Sequence, residues 1–239
     1  MKIALIGYGK MGKAIEEIAI SRGHEITHRF SSSNPIQTNN LSDSDVAIEF
    51  TRPNLAIEHI HYCINQNLPI VVGTTSWQDK LSDVCDFVNS NKGALLHASN
   101  FSVGVNIFFE LNRVLAKLMS NQPEYKIEAE EIHHVQKLDA PSGTAVSLLN
   151  DILEENKNYS DWQVVSNFNE SDSKKIPVIA KREPDVPGTH EINYSSEIDT
   201  ITIKHIAHNR KGFALGAVLA AEFLNGKSGV YTMSDVLKI

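Results

Sequence analysis

The sequence has only two cysteines, Cys63 and Cys85, and no C-x-x-C pair. This argues against a disulfide framework, a thiol redox motif and a sulfur-built zinc site, and two reduced, buried thiols are expected. No apolar run approaches the ~20 residues that a membrane helix needs. The apolar start Met1–Ile6 is broken by Gly7, Gly9 and Gly12, too early for a signal peptide. The expectation is a cytoplasmic protein without a membrane partner. Positive charge is also scarce. The net charge of -7 is opposite to the basic face of a nucleic-acid binder, so no nucleic-acid partner is expected. A local basic pocket for a small anion remains compatible with it.

The chain of 239 residues allows one large domain or two modest ones. Its first hundred residues alternate short apolar runs with amphipathic stretches. Strands are expected at Ile3–Ile6, Glu25–Phe30, Val46–Phe50, Pro69–Val72 and Ala94–His97. Helices are expected at Lys10–Ser21, with Gly23 as its C-cap, at Leu55–Asn65, and from a Ser76 cap through Asn89. This βαβα order implies a parallel sheet with helices on both faces. Beyond it come a helix at Val105–Ser120, a strand at Tyr125–Val135 and a helix at Ser142–Lys157. Four strands then follow in succession, at Trp162–Ser166, Ile176–Lys181, Glu191–Ser196 and Thr200–Ala207. Consecutive strands imply an antiparallel or mixed sheet and a second domain. Gly212–Leu224 returns to helix before a short tail. The stretches 31–40 and 167–174 read as polar loops.

Gly7-Tyr8-Gly9-Lys10-Met11-Gly12 is G-x-G-x-x-G, lying between an expected strand and helix. In that context it reads as a dinucleotide turn. Gly7 permits the bend, Gly9 admits the pyrophosphate, and Gly12 lets the helix approach the strand. A carboxylate for the ribose 2′-hydroxyl of NAD is expected at the end of the second strand, where Thr27-His28-Arg29-Phe30-Ser31-Ser32 has none. Arg29, with Ser31 and Ser32, points instead to the 2′-phosphate of NADPH, with dual use of NADH left open. Gly73-Thr74-Thr75 and Ala98-Ser99-Asn100-Phe101 follow the fourth and fifth strands, where open α/β sheets bind ligands.

The richest stretch is Glu131-Ile132-His133-His134-Val135-Gln136-Lys137-Leu138-Asp139-Ala140-Pro141-Ser142-Gly143-Thr144-Ala145. A strand continuing through it would put His133 and Lys137 on one face. Histidine is a good proton donor near neutral pH, and lysine donates a proton or neutralises a carboxylate. Ser142 is a candidate N-cap, after which Gly143 and Thr144 offer N–H groups to an anion. Adjacent histidines are also candidate metal ligands. Zinc would want further ligands from several elements, and no metal is expected.

This run resembles the E-x-H-H-x-x-K-x-D-A-P-S-G-T-A motif of the 4-hydroxy-tetrahydrodipicolinate (dihydrodipicolinate) reductase family. Asn100–Asn106, Gly73–Thr75 and the glycine turn resemble further segments of that family, and Gly188–Glu191 and 209–217 do so more loosely. The resemblance implies a Rossmann-type nucleotide-binding domain plus an α+β substrate domain. The first would comprise 1–101 and 212–239, and the second, which also oligomerises, 102–211. It implies NAD(P)H-dependent reduction of a cyclic dicarboxylic imine, with loss of water, in lysine and diaminopimelate biosynthesis, by a homotetramer.

By the same resemblance His133 and Lys137 handle the proton, and His134, Ser142, Gly143 and Thr144 hold the substrate. Gly73–Thr75 and Ala98–Phe101 line the nicotinamide site. The family's acidic residue after the second strand has no counterpart here. Two other readings are another two-domain Rossmann dehydrogenase of amino-acid metabolism and a nicotinamide-sensing binding protein. The long His-His-x-x-Lys to Gly-Thr run disfavours the first, and the lack of a basic DNA-reading element disfavours the second.

Overall fold

The computed structural model describes residues 1–36, 40–170, 172–209 and 211–239. The loops expected at 31–40 and 167–174, and the family segment 209–217, therefore fall partly outside the described residues. The chain divides into two compact units, Met1–Val103 with Lys211–Ile239, and Gly104–Arg210. Among the described residues no helix is long and apolar enough to cross a membrane.

The first unit is built on short apolar strands: β1 (Lys2–Ile6), β2 (Glu25–Phe30), β3 (Val46–Glu49), β4 (Ile70–Val72), β5 (Ala94–His97) and β11 (Gly229–Tyr231). Their order is β11-β5-β4-β3-β1-β2, and every neighbouring pair is parallel. A parallel sheet must be covered on both faces, and alternation along β1 serves both. Ile3 and Leu5 pack with α1 (Lys10–Ser21) and α6 (Lys211–Leu224). Ala4 and Ile6 pack with α2 (Pro53–Asn65) and α3 (Leu81–Ser90). α6 is apolar nearly all round and comes close: a Cβ on Gly216 would lie 1.7 Å from the Phe101 carbonyl oxygen. Arg22, at the C-cap of α1, is bidentate on Glu222 of α6 with both bonds 2.8 Å. Gly23 follows it at φ +82°, the left-handed turn in which such helices end.

Two expectations fail here. Ser76 caps no helix. It sits at φ +63°, Trp77 turns inward to donate its indole N–H to the Thr74 carbonyl at 2.7 Å, and only after a 3-10 turn at Gln78–Lys80 does α3 start. Burial of the Trp77 ring overrides the local capping signal. The tail is also structured, since β11 pairs with β5 and α7 (Met233–Leu237) follows with a Thr232–Asp235 capping box.

The second unit has β6 (Lys126–His133), β7 (Asp161–Val164), β8 (Lys175–Arg182), β9 (Gly188–Ser195) and β10 (Thr200–Ala207), in the order β10-β9-β6-β8-β7. It is mixed: β6 is antiparallel to β9 and parallel to β8. α4 (Val103–Met119) and α5 (Gly143–Glu155) cover one face, where Phe108, Ala116, Leu148, Leu149 and Ile152 pack on Ile127, Ala129, Val178 and Tyr194. The buried Asn112 ties the two helices by donating to the Leu148 carbonyl at 2.9 Å.

Candidate active site

In the first unit the turn between β1 and α1 contains glycines of two kinds. Gly7 stands at φ +99°, and a Cβ there would lie 2.0 Å from the Phe50 carbonyl oxygen. A Cβ on Gly12 would lie 2.3 Å from the Gly7 oxygen. Internal packing thus requires both. Gly9 differs, because a Cβ there would meet nothing within 4 Å. It is the N-cap of α1, and no side chain caps that helix. The protein itself does not need a glycine at this point, but a pyrophosphate approaching the helix N-terminus does.

Two cavities flank the turn. One, of about 530 Å³, is lined by Gly7, Tyr8, Gly9, Ser31, Ser32 and Arg52 among others. The second, of about 390 Å³, is lined by Gly9, Lys10, Met11, Thr51 and Gly73–Thr75 among others. Gly9 and Thr51 border both, so one extended ligand lying over Gly9 would occupy the two. Of the segment after β5, Phe101 is buried against Phe50 with ring centroids 5.6 Å apart, and Asn100 Oδ1 accepts from the Ser102 N–H at 2.8 Å. Residues 98–101 line neither of these cavities.

Sequence reading missed the buried Glu49 at the end of β3. Its Oε1 accepts from Thr51 Oγ1 and, at 3.0 Å, from Thr74 Oγ1, and His59 Nδ1 lies 3.4 Å away. Thr74 Oγ1 accepts in turn from the Thr51 N–H at 2.8 Å. The carboxylate therefore joins the segments after β3 and β4, which border the second cavity. An acidic residue ending an apolar strand was the available signal. Arg29 is not a free cation: Glu16 of α1 accepts from its Nε and Nη2, and from the Tyr8 hydroxyl.

In the second unit, alternation along β6 turns Glu131 and His133 inward together. The strand stops at His133, so His133 and Lys137 do not share a strand face as expected. Instead the chain turns, the Lys137 N–H donating to the His134 carbonyl at 3.0 Å. Arg182, at the end of β8, holds this turn. Its Nη2 donates to Glu131 Oε1 at 3.3 Å and to the Asp139 carbonyl at 2.5 Å, and its Nε to the Lys137 carbonyl at 3.2 Å. Lys137 Nζ bonds both oxygens of Asp139, at 2.9 and 2.8 Å. The ammonium holds the Asp139 carboxyl below its ordinary range.

After the cis Ala140–Pro141 bond, the Ser142 N–H reaches both Glu131 oxygens at 3.0 and 3.1 Å. Ser142 is the N-cap of α5: its Oγ accepts from the Ala145 N–H at 3.2 Å and lies 3.2 Å from His190 Nε2. This leaves the exposed Gly143 and half-buried Thr144 at the open start of the helix. Half-buried His134 and Lys137 belong to the same loop. The ring of His133 lies edge-on to that of His190, 5.0 Å between centroids. Burial holds the proton affinity of His133 below the ordinary histidine value, against the pull of Glu131, and burial pushes His190 down to about 3.

Ligating atoms of Glu131, His133 and His190 lie within 4.8 Å of one another. The Glu131 oxygens are already engaged by Arg182 and the Ser142 N–H, so the cluster reads as a polar frame and not as a metal cage. Glu131, Arg182 and His190 are the residues of this frame that sequence reading did not select.

A glycine turn opening a helix on a parallel sheet, with cavities on both sides of it, is the Rossmann-type arrangement on which pyridine-nucleotide-dependent oxidoreductases are built. Residues 1–101 match "Dihydrodipicolinate reductase, N-terminus" and residues 104–237 match "Dihydrodipicolinate reductase, C-terminus". The chain is 48% identical to the 4-hydroxy-tetrahydrodipicolinate reductase of Christiangramia forsetii, over 99% of this chain and 98% of that one. It is 32% identical to the enzyme of that name from Thermosipho africanus, over 100% and 98%. A solved structure, the dipicolinate-bound dihydrodipicolinate reductase from Paenisporosarcina sp. TG-14, has the same fold, with a TM-score of 0.74 at 24% identity over 97% of each chain. The chain belongs to the dihydrodipicolinate reductase family, and is a reductase of lysine and diaminopimelate biosynthesis.

Proposed function

We propose that the chain reduces 4-hydroxy-tetrahydrodipicolinate to tetrahydrodipicolinate with loss of water, using NADPH, NADH or both. The observation that carries this is the single loop, folded by Arg182 onto Glu131, that brings Lys137 and the start of α5 together beside His133. A cyclic dicarboxylate suits that setting, since helix N–H groups and an ammonium both favour anions. The unit Met1–Val103 with Lys211–Ile239 binds the nucleotide, across Gly7–Gly12 and Gly73–Thr75, with Ala98–Phe101 nearby. The unit Gly104–Arg210 binds the substrate and assembles copies.

The nicotinamide supplies the hydride. Gly143 and Thr144 take a substrate carboxylate at the α5 N-terminus and His134 contacts the ring, whereas Ser142, expected as a third contact, is buried with its N–H held by Glu131 and positions the helix start instead. Asp139 fixes the Lys137 ammonium, which is the proton source at hand. His133 starts neutral, because burial disfavours its charge, and gains proton affinity when a dianion lies against it. The half-exposed Ile206 of β10, on the face of the second sheet that α4 and α5 leave uncovered, suits a homotetramer joined through that sheet. The free cysteines Cys63 and Cys85 suit a reducing cytoplasm.

The test is to generate the substrate from pyruvate and aspartate semialdehyde with the upstream synthase and to follow NADPH and NADH oxidation. Oxidation with either nucleotide supports the reading, and oxidation with neither overturns it.

A further inference from the structure

Arg29 stands near the end of β2, where a Rossmann-type sheet meets the ribose 2′-position. Its immediate neighbours Phe30, Ser31 and Ser32 line the larger cavity together with Tyr8. An arginine here normally favours the cofactor that carries a 2′-phosphate. In this chain its charge is already answered. Glu16, nearly two helical turns into α1, takes the Nε and Nη2 hydrogens on Oε1. The same carboxylate accepts from the Tyr8 hydroxyl on Oε2, and the guanidinium carbon lies 5.9 Å from the Tyr8 ring centroid. Glu16 is the more buried partner, its side chain 14% exposed against 42% for Arg29. Arg29 holds the Glu16 carboxyl below its ordinary range, so the carboxylate is ionised throughout the neutral range.

We propose that Glu16 is a specificity-determining residue that holds down the preference for NADPH and keeps NADH competitive. This rests on the reading that the cavities flanking Gly9 bind a pyridine nucleotide. A 2′-phosphate dianion meeting Arg29 would also meet the carboxylate paired to it. Repulsion from Glu16 then offsets part of the attraction to Arg29. A 2′-hydroxyl brings no charge and is indifferent to the pair. Among the described residues no bond engages Nη1 of Arg29, so a phosphate can approach that edge without breaking the ion pair. Glu16 therefore tunes the preference without blocking the site.

The test compares 2′,5′-ADP with ADP as probes, by calorimetry, on the intact protein and on Glu16→Gln. The amide removes the charge while its oxygen still accepts from Arg29. The expected result is that 2′,5′-ADP binds about tenfold more tightly to the variant while ADP changes by less than about twofold. The NADPH-to-NADH ratio of kcat/KM should rise in parallel. Glu16→Ala must act in the same direction, and Arg29→Gln added to Glu16→Gln must abolish the gain. An unchanged ratio of the two probes, or an equal change in both, overturns the proposal. If the unaltered protein binds neither probe, the nucleotide reading fails, and this inference with it.

Discussion

The Arg182 guanidinium on β8 donates to the buried Glu131 carboxylate on β6, Nη2 to Oε1, at 3.3 Å. The same side chain bonds the Lys137 and Asp139 carbonyls, so one residue neutralises a buried charge and folds the loop that carries Lys137. Replacing it by leucine leaves Glu131 without its cation. Removing one partner of a buried pair costs about 3–5 kcal/mol, and the partial exposure of Arg182 puts the loss at the low end. Arg182→Leu should therefore lower both the unfolding midpoint and kcat/KM. Denaturant unfolding and steady-state kinetics check this, and an unchanged midpoint would refute the account of Arg182.

Lys137 is on the surface side of that loop and, among the described residues, bonds no side chain but Asp139. Its removal should cost chemistry and little stability. Lys137→Ala is expected to lower kcat by about 10²–10⁴, the usual range for a proton-transfer group, with an unchanged thermal midpoint. Retention of full activity would remove Lys137 from the mechanism.

Gly12 and Gly9 of the turn should separate under substitution. Gly12→Ala drives a Cβ to 2.3 Å from the Gly7 oxygen and should destabilise the first unit. Gly9→Ala adds a Cβ in open space, at a backbone φ of −88° that alanine accepts. Stability should then change by less than about 0.5 kcal/mol, while nucleotide affinity falls. Thermal melts and calorimetry with NADPH distinguish the two variants. A large loss of stability in Gly9→Ala would contradict the open cradle.

Burial holds His190 near 3 against an ordinary value of 6.5. Between those values the unfolded chain binds this proton and the native protein does not. Stability is therefore greatest above about pH 6.5 and falls as the pH drops, by up to about 1.4 kcal/mol per pH unit for this one group. His133 and His205, both lowered by burial, act in the same direction. Glu131, Lys137 and Ser142 are its other polar neighbours. His190→Gln should flatten the slope of unfolding free energy between pH 6.5 and 4. An unaltered slope would show that His190 does not set it.

Much of the first unit was legible because its signals are local. Lys10–Ser21 was delimited by a glycine turn before it and Gly23 after it, and the apolar runs of β1, β3, β4 and β5 stand out between polar helices. Ser76 misled because the capping pattern is local, whereas Trp77 is drawn inward by a core assembled from distant elements. β11 was invisible because it is three residues long and is a strand only by virtue of pairing with β5. In the second unit the strands from β7 to β10 were legible as a succession of strand-like runs, while the end of β6 was not, because the turn after His133 is imposed by Arg182.

The candidate site divides the same way. His133, His134, Lys137 and Ser142–Thr144 are close in the chain, so residue type and spacing suffice to single them out. Glu131 and Arg182 are 51 residues apart, and Ser142 and His190 are 48 apart. Their pairing exists only once β8 and β9 lie beside β6, and nothing in the local sequence encodes it. Arg29 shows the same limit, since its type and place were legible but the carboxylate that answers its charge lies on another element. The sequence by itself determined the glycine turn, the family and the loop that carries His134 and Lys137, because contiguous residues carry their own geometry. Only the tertiary structure decided which of those charges are free and which are already paired, because electrostatic pairing depends on distance in space and not along the chain.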